Sequence, residues 1–162
     1  MKNSLKLIIS VSIPLLIGFA GSFFTSSSVS TWYTTLNKPT FNPPGWIFGP
    51  VWTLLYIMIW VSFYFVWKVD FKNKNKQAIG IYSLQLFLNL IWSFLFFWLR
   101  NPFASLIEII ILWCAILANM IVFYRIEKTA GLLLLPYLLW VSFAMILNYS
   151  IFVLNFWGNI GF

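Results

Sequence analysis

Five long runs of apolar residues, separated by short polar segments, constrain this 162-residue chain more than any other feature. Each run is about 20 residues long, the length that an α-helix needs to cross the hydrocarbon core of a bilayer. Hydrophobic residues make up 62% of the chain and charged residues 8%, which is more apolar surface than a soluble domain of this size can bury. The sequence therefore predicts an all-α, five-helix membrane bundle. We place the helices at about residues 5–25, 44–67, 78–99, 103–124 and 132–154.

The whole chain, residues 1–162, is expected to form a single membrane domain, because no linker separates the runs. The first run follows Lys2 and Lys6 and so resembles a signal peptide. Its length and the poor cleavage site in "GSFFTSSS" favour a retained helix instead. No internal repeat is apparent, which argues against a secondary transporter built from inverted repeats.

The basic residues predict the orientation in the membrane. If all five runs cross, eight of the ten Lys and Arg residues fall on the side of the N-terminus, and only Lys38 and Arg100 fall on the other side. Cytoplasmic loops carry this excess, so the N-terminus is expected in the cytoplasm and the C-terminus outside, in a bacterial cell membrane. Because the charges sit in these short loops, the net charge of +7 indicates topology, and no nucleic-acid partner is expected.

The chain contains no histidine and only one cysteine, Cys114. This composition argues against His-based catalysis, His-ligated haem and most metal sites, so no metal and no resident cofactor are expected. A lone cysteine cannot form an internal disulfide. Because Cys114 lies in an apolar run, we expect it to be a small core residue.

A proline-rich stretch, "NKPTFNPPGWIFGPVW" at residues 37–52, leads directly into the second run. Proline breaks helices but is tolerated at their first turn, where its missing N–H would have no partner. Non-helical backbone at membrane depth survives only when it is buried in protein or lines a cavity. We therefore expect the long loop at residues 26–43 to pack over the bundle as a lid. The alternative is a rigid interfacial loop anchored by Trp32, Tyr33 and Trp46.

Polar and tryptophan side chains recur inside the apolar runs. Trp140, Ala144 and Asn148 are spaced by four and share one helix face, and Asn89 and Trp92 are three apart on another helix. Each polar side chain alone is explained by hydrogen bonding between membrane helices. Together with a proline-rich lid, the set favours an aromatic-lined pocket.

Glu108 is the acidic residue nearest the middle of an apolar run. An acid inside a membrane helix is a candidate functional residue. Its position close to the start of the fourth run supports an alternative of equal weight, in which the side chain reaches the interface or stabilises the helix N-terminus.

Three segments, "WYTTLNKPTFNPPGWIFGPVWTLLY", "QLFLNLIW" and "PYLLWVSFAMILNYSIFVLN", resemble the signature segments of the TspO/MBR family. The resemblance runs in unbroken order from about Gly18 to Asn155. It implies a five-helix bundle, often homodimeric, that binds protoporphyrin IX and benzodiazepine- or isoquinoline-type ligands beneath the first external loop. The resemblance implies the following ligand-binding residues: Tyr33, Pro43, Trp52, Asn89, Trp92, Trp140, Phe143, Ala144, Leu147 and Asn148.

The same resemblance raises an enzymatic possibility. Some family members are credited with light-dependent breakdown of protoporphyrin, a role laid on the tryptophans that match Trp52 and Trp140. Our main hypothesis is porphyrin binding in a tetrapyrrole-handling or stress-sensing role. The alternative is a transporter of tetrapyrroles or other amphiphiles, which the scarcity of charge within the runs disfavours.

The sequence departs from the animal members of that family after Tyr149. Their cholesterol motif requires a basic residue within five positions of the matching tyrosine, whereas "SIFVL" follows here. The motif is itself a weak pattern. Sterol binding is therefore not expected.

Overall fold

The computed structural model describes residues 18–19, 21, 23, 25–26, 28–69 and 75–157, and every regular element in these ranges is helical. The described residues between positions 18 and 29, which we call the N-terminal segment, are all helical, and a turn follows at Ser30. The elements that follow are α1 (Trp32–Thr35), α2 (Gly45–Lys68), α3 (Asn75–Ser93) with a π-helical extension (Phe94–Trp98), α4 (Pro102–Ile126), α5 (Lys128–Leu133) and α6 (Leu135–Phe156).

Four stretches of the described chain are long and apolar enough to cross a membrane. They are Gly45–Lys68, Lys76–Trp98, Pro102–Ile126 and Lys128–Phe156. The prediction of an all-α, multi-pass membrane protein is confirmed at this level. The first predicted helix, at residues 5–25, lies largely outside the described residues.

The turns between the later helices have clear local causes. Pro102 occupies the first turn of α4, and the Asn101 side chain caps that helix by accepting a hydrogen bond from the Ala104 N–H at 3.0 Å. Gly131 lies against the backbone of Tyr124, and a Cβ at this position would collide with it. Only glycine therefore allows α5 to fold back closely on the end of α4.

The π-helical extension of α3 changes which side chains face inward. In this extension the Leu99 N–H donates to the Phe94 carbonyl at 2.9 Å, five residues back, so each residue is rotated from its α-helical position. Phe96 and Phe97 are both buried as a result. The Phe97 carbonyl accepts a 2.7 Å hydrogen bond from Ser28 Oγ, which ties the N-terminal segment to this end of α3.

The proline-rich residues 36–44, which we call the strap, run down the side of α6. The strap contacts α6 at both ends: Asn37 bonds Asn155 near the helix terminus, and Phe41 packs against Phe143 at 6.2 Å between ring centroids. Twelve helical residues separate these two contacts on α6, a rise of about 18 Å. Non-helical backbone with a turn at residues 39–42 covers part of that distance, and side chains close the remainder.

Several backbone N–H and carbonyl groups of the strap have hydrogen-bond partners within the protein, and its prolines and asparagines account for this. Its prolines have no N–H to pair, and the Asn42 N–H donates to the Pro39 carbonyl at 3.0 Å. The Asn155 amide accepts from the Asn37 N–H and donates to the Asn37 carbonyl, both at 2.8 Å. Proline and asparagine thus let a non-helical segment lie against the bundle wall.

The end of the bundle away from the strap is closed by packed rings. Phe63 of α2 stacks on Tyr82 of α3 at 4.2 Å, and Phe123 of α4 lies 6.0 Å from Tyr82. The expectation that Cys114 is a core residue is wrong, because its side chain is exposed. It lies on the outer face of α4, where the surrounding medium is lipid in a membrane-spanning helix.

Candidate ligand-binding cavity

A cavity of about 410 Å³ opens beneath the strap, between the N-terminal segment, α2, α3 and α6. This volume lies within the usual range of small-molecule sites. Nine aromatic side chains line it: Phe19, Tyr33, Phe48, Trp52, Tyr56, Trp92, Phe96, Phe97 and Trp140. No charged side chain is among the described residues of its lining. The cavity is therefore suited to flat, largely apolar molecules.

The aromatic walls come from two helical faces. Phe48, Trp52 and Tyr56 are spaced by four on α2, so their rings lie one above another, with Trp52 and Tyr56 at 5.7 Å. On α3, Trp92 and Phe96 stack at 5.4 Å with an interplanar angle of 18°. Faces of this kind favour offset stacking with an aromatic guest, worth about 0.5–1.5 kcal/mol per pair beyond the buried area.

Asn89 links three helices at the end of the cavity near Tyr56, which we call its floor. The Tyr56 hydroxyl donates to Asn89 Oδ1 at 2.7 Å, and Asn89 Nδ2 donates to the Tyr137 hydroxyl at 3.0 Å. These bonds join α2, α3 and α6 at one point. Asn89 is only 1% exposed and does not line the cavity, so it positions Tyr56 from below.

Asn148 fixes the ring of Trp92. Its Oδ1 accepts from Trp92 Nε1 at 3.2 Å and from Ser105 Oγ at 3.0 Å, and its Nδ2 donates to the Pro102 carbonyl at 2.9 Å. All the polar atoms of the Asn148 side chain are thus engaged. These atoms therefore position Trp92 and are not free to bond a ligand.

Trp140 differs from Trp92 in its hydrogen bonding. Its indole nitrogen is buried, and among the described residues it has no hydrogen-bond partner. Its ring packs against Phe48 at 6.1 Å and against Phe143 at 5.5 Å. The indole ring is therefore held in the wall by packing against other rings, and its N–H is an unpaired donor buried within that wall.

Tyr33 closes the cavity on the side of the strap. Its hydroxyl donates to Asn42 Oδ1 at 2.6 Å, and the Lys38 ammonium lies 5.0 Å from the centre of its ring. Burial raises the pKa of Tyr33 to about 12, although the hydrogen bond with Asn42 partly opposes this shift. The hydroxyl thus stays protonated near neutral pH and keeps its bond to the strap.

The structure brings together most of the ligand-binding residues expected from the sequence. Seven of them line the cavity: Tyr33, Trp52, Trp92, Trp140, Ala144, Leu147 and Asn148. Trp52 and Trp140, the two expected catalytic residues, are both among these. Asn89 lies beneath the floor, Phe143 faces a groove on the outer side of the bundle, and Pro43 is not part of the lining.

Several lining residues were missed by sequence reasoning. Phe48 and Tyr56 could have been found, because they flank Trp52 at four-residue spacing on the same face of α2. Phe96 could also have been found, because it follows Trp92 at the same spacing. Phe97 could not, because it follows Trp92 by five residues, and only the π-helical extension turns its side chain toward the same side.

Glu108 lies away from the lining, inside the bundle. It is 6% exposed, and among the described residues neither carboxylate oxygen has a hydrogen-bond partner. The alternative in which it reaches the interface is therefore wrong. Gln85 and Asn119 are also fully buried with side-chain atoms that lack partners there, so α3 and α4 share several buried polar groups.

Comparison with known proteins agrees with this architecture. The model of the TspO/MBR family matches residues 10–154. The chain is 49% identical over 153 residues to the tryptophan-rich protein TspO of Archaeoglobus fulgidus, covering 94% of this chain and 99% of that protein. It is 36% identical over 140 residues to the translocator protein of Homo sapiens, covering 85% and 83%. It is 34% identical over 124 residues to the tryptophan-rich sensory protein of Cereibacter sphaeroides, covering 76% and 77%. The chain belongs to the TspO/MBR family.

Proposed function

We propose that this membrane protein binds protoporphyrin IX and similar flat amphiphiles in the cavity beneath the strap, in a tetrapyrrole-handling or stress-sensing role. Benzodiazepine- and isoquinoline carboxamide-type ligands share with it an apolar body built from aromatic rings, and we propose that they bind in the same cavity. The observation that carries the proposal is the cavity itself, with nine aromatic side chains and no charged side chain in its described lining. Family membership supports the same ligands.

The proposal includes the full architecture expected of the family. A first helix at about residues 5–25 completes a five-helix bundle in a single domain, residues 1–162, and two such chains form a homodimer. The N-terminus is cytoplasmic and the C-terminus outside. In support, Lys68, Arg125 and Lys128 lie at helix ends remote from the strap, as an excess of positive charge inside requires.

The charges around the cavity suggest how a porphyrin is oriented. Burying an ionised carboxylate without a partner is costly, and the described lining offers no cation. Lys38 lies at the strap, over the Tyr33 ring. We therefore place the propionates of protoporphyrin at the strap side of the cavity, within reach of Lys38, and the macrocycle among the rings below.

Light-dependent breakdown of bound protoporphyrin is a second candidate activity. The observation that favours it is that Trp52 and Trp140 line the same cavity, on facing helices. Indoles at these positions would be in contact with a bound macrocycle. Transport, the rival hypothesis, predicts instead that proteoliposomes accumulate protoporphyrin.

A binding titration tests the proposal. Purified protein is titrated with protoporphyrin IX in darkness, and porphyrin fluorescence is followed. Ala144 lines the cavity, so Ala144→Trp fills it and is expected to weaken binding by at least about tenfold, roughly 1.4 kcal/mol.

The matched control is Ile146→Trp, which adds the same side chain two residues away. Ile146 is exposed on the outer face of α6, so binding is expected to be unchanged. Equal affinity in the two variants, or no saturable binding by the unmodified protein, would contradict the proposal.

A further inference from the structure

A second cavity lies on the outer face of the bundle, in a groove between α2 and α6. Its volume is about 380 Å³, and its walls include Leu54 and Met58 of α2 and Leu139 and Phe143 of α6. These side chains are apolar, as expected where a membrane-spanning bundle meets lipid. Trp140 lines both this groove and the inner cavity. One indole ring therefore stands between the ligand cavity and the bilayer.

The wall at Trp140 is held by ring contacts. The indole packs against Phe48 on one side and Phe143 on the other, and its N–H has no hydrogen-bond partner among the described residues. Rotation of this side chain thus breaks no hydrogen bond of its own. Beside it, α2 carries Pro50 in its second turn, which removes a helix hydrogen bond, and a Cβ added at Gly49 would meet no atom within 4 Å. Gly49 and Trp140 both line the inner cavity, so the cavity wall beside the ring is open at this point of α2.

The other sides of the cavity are tied more firmly. The strap is bonded to α6 through both the N–H and the carbonyl of Asn37, and to Tyr33 through Asn42. The N-terminal segment is bonded to α3 through Ser28. Opening either of these walls breaks hydrogen bonds, of which the one from Ser28 is buried, whereas displacing Trp140 exchanges one set of apolar contacts for another.

We propose that the α2–α6 groove is the bilayer-side entrance to the cavity and that Trp140 is its gate. Planar amphiphiles that partition into the membrane would enter laterally from the lipid, without passing beneath the strap. This inference rests on the proposed function, because it assigns a route to the ligand of that cavity. The gate controls the rates of entry and exit, and the equilibrium affinity is set by the cavity.

Filling the groove from either helix tests the gate without altering the cavity. Leu139→Trp and Leu54→Trp each place an indole in the groove, and neither residue lines the cavity. The probe is protoporphyrin IX dissolved in liposomes that contain the protein, followed by stopped-flow fluorescence in darkness. Both variants are expected to slow association and dissociation alike, by about tenfold, and to keep the Kd within about twofold. Leu139→Ala, which widens the groove, is expected to accelerate both steps.

Two control variants separate this route from the alternatives. Ile146→Trp lies on the outer face of α6 and lines neither space, so its rates should match those of the unmodified protein. Asn155→Leu frees the Asn37 end of the strap and leaves the contact of Phe41 with Phe143 at the groove, so it should leave the association rate unchanged if entry is lateral. A normal Kd with unchanged rates in both groove variants would overturn the gate alone. Faster association in Asn155→Leu, with unchanged rates in the groove variants, would also overturn the gate. A failure of the unmodified protein to bind saturably would overturn the proposed function and the gate with it.

Discussion

Two asparagine side chains set the positions of the cavity rings. Asn148 holds Trp92 through its indole nitrogen, and Asn89 holds Tyr56 through its hydroxyl. Neither amide has a spare polar atom directed at a ligand, because each bonds partners on other helices. Such residues affect binding through the ring that they position, so their replacement should lower stability first.

Asn89→Leu tests this role. The substitution removes the partners of the Tyr56 and Tyr137 hydroxyls inside the bundle, and an unsatisfied buried group costs about 1–3 kcal/mol. We expect a lower Tm in detergent by several degrees, with a smaller loss in Tyr137→Phe, which removes only one of the two bonds. An unchanged Tm in Asn89→Leu would show that the network does not stabilise the bundle.

The photochemical hypothesis also belongs at the scale of single residues. Replacing Trp140 by Phe keeps an aromatic wall but removes the more easily oxidised indole ring. We expect protoporphyrin to bind within about tenfold of the unmodified protein, while its absorbance decays more slowly under light. Trp52→Phe should act in the same way. Undiminished decay in both variants would remove these tryptophans from the mechanism.

Single residues were predictable from sequence where helical spacing alone places them. Trp140, Ala144 and Asn148 follow a four-residue spacing, and the structure places all three along the cavity. Phe143 breaks this pattern, because its position one residue before Ala144 turns it about 100° around the helix, toward the outer groove. The resemblance to the family implied both residues as ligand-binding. Helix geometry separates them, because Ala144 faces the cavity and Phe143 faces the outer groove.

At the scale of elements, the strap is the least regular part of the cavity wall and the most dependent on specific side chains. Asn155 satisfies both backbone groups of Asn37, and Asn42 bonds Tyr33. The proline content indicated from sequence that this segment is not helical. Its course along α6 was not predictable, because it depends on contacts between residues more than a hundred positions apart.

Asn155→Leu tests how the strap is held. It removes two hydrogen bonds to Asn37, each worth about 0.5–1.5 kcal/mol where water can partly replace it. We expect faster hydrogen exchange of the Asn37 amide and faster proteolysis within the strap. Ser150→Ala is the control, since Ser150 is exposed and bonds only its own helix at Ile146. Equal exchange in the two variants would mean that Asn155 does not hold the strap.

The π-helical extension of α3 is the element that sequence patterns missed altogether. Its residues, "FLFFW", are apolar throughout, so no periodicity distinguishes an α-helix from a π-helix there. The distinction matters because it directs Phe97, five residues after Trp92, into the cavity. Tertiary contacts, including the bond from Ser28 to the Phe97 carbonyl, accompany the irregular geometry.

For the whole molecule, the proposed orientation in the membrane rests on the basic loops. A reporter enzyme that is active only outside the cytoplasm should be active when fused to the C-terminus and inactive when inserted at residues 70–74, between α2 and α3. The reverse pattern would place the strap and the cavity mouth on the cytoplasmic side.

The central claim is that one cavity beneath the strap holds flat aromatic ligands. Photoaffinity labelling tests it most directly, with a diazirine-bearing isoquinoline carboxamide as the probe and peptide mass spectrometry to locate the adducts. We expect adducts on cavity-lining residues of α2 and α6, such as Trp52, Ala144 and Leu147, and we expect excess protoporphyrin IX to suppress them. Adducts confined to lipid-facing side chains, and unaffected by protoporphyrin, would contradict the account.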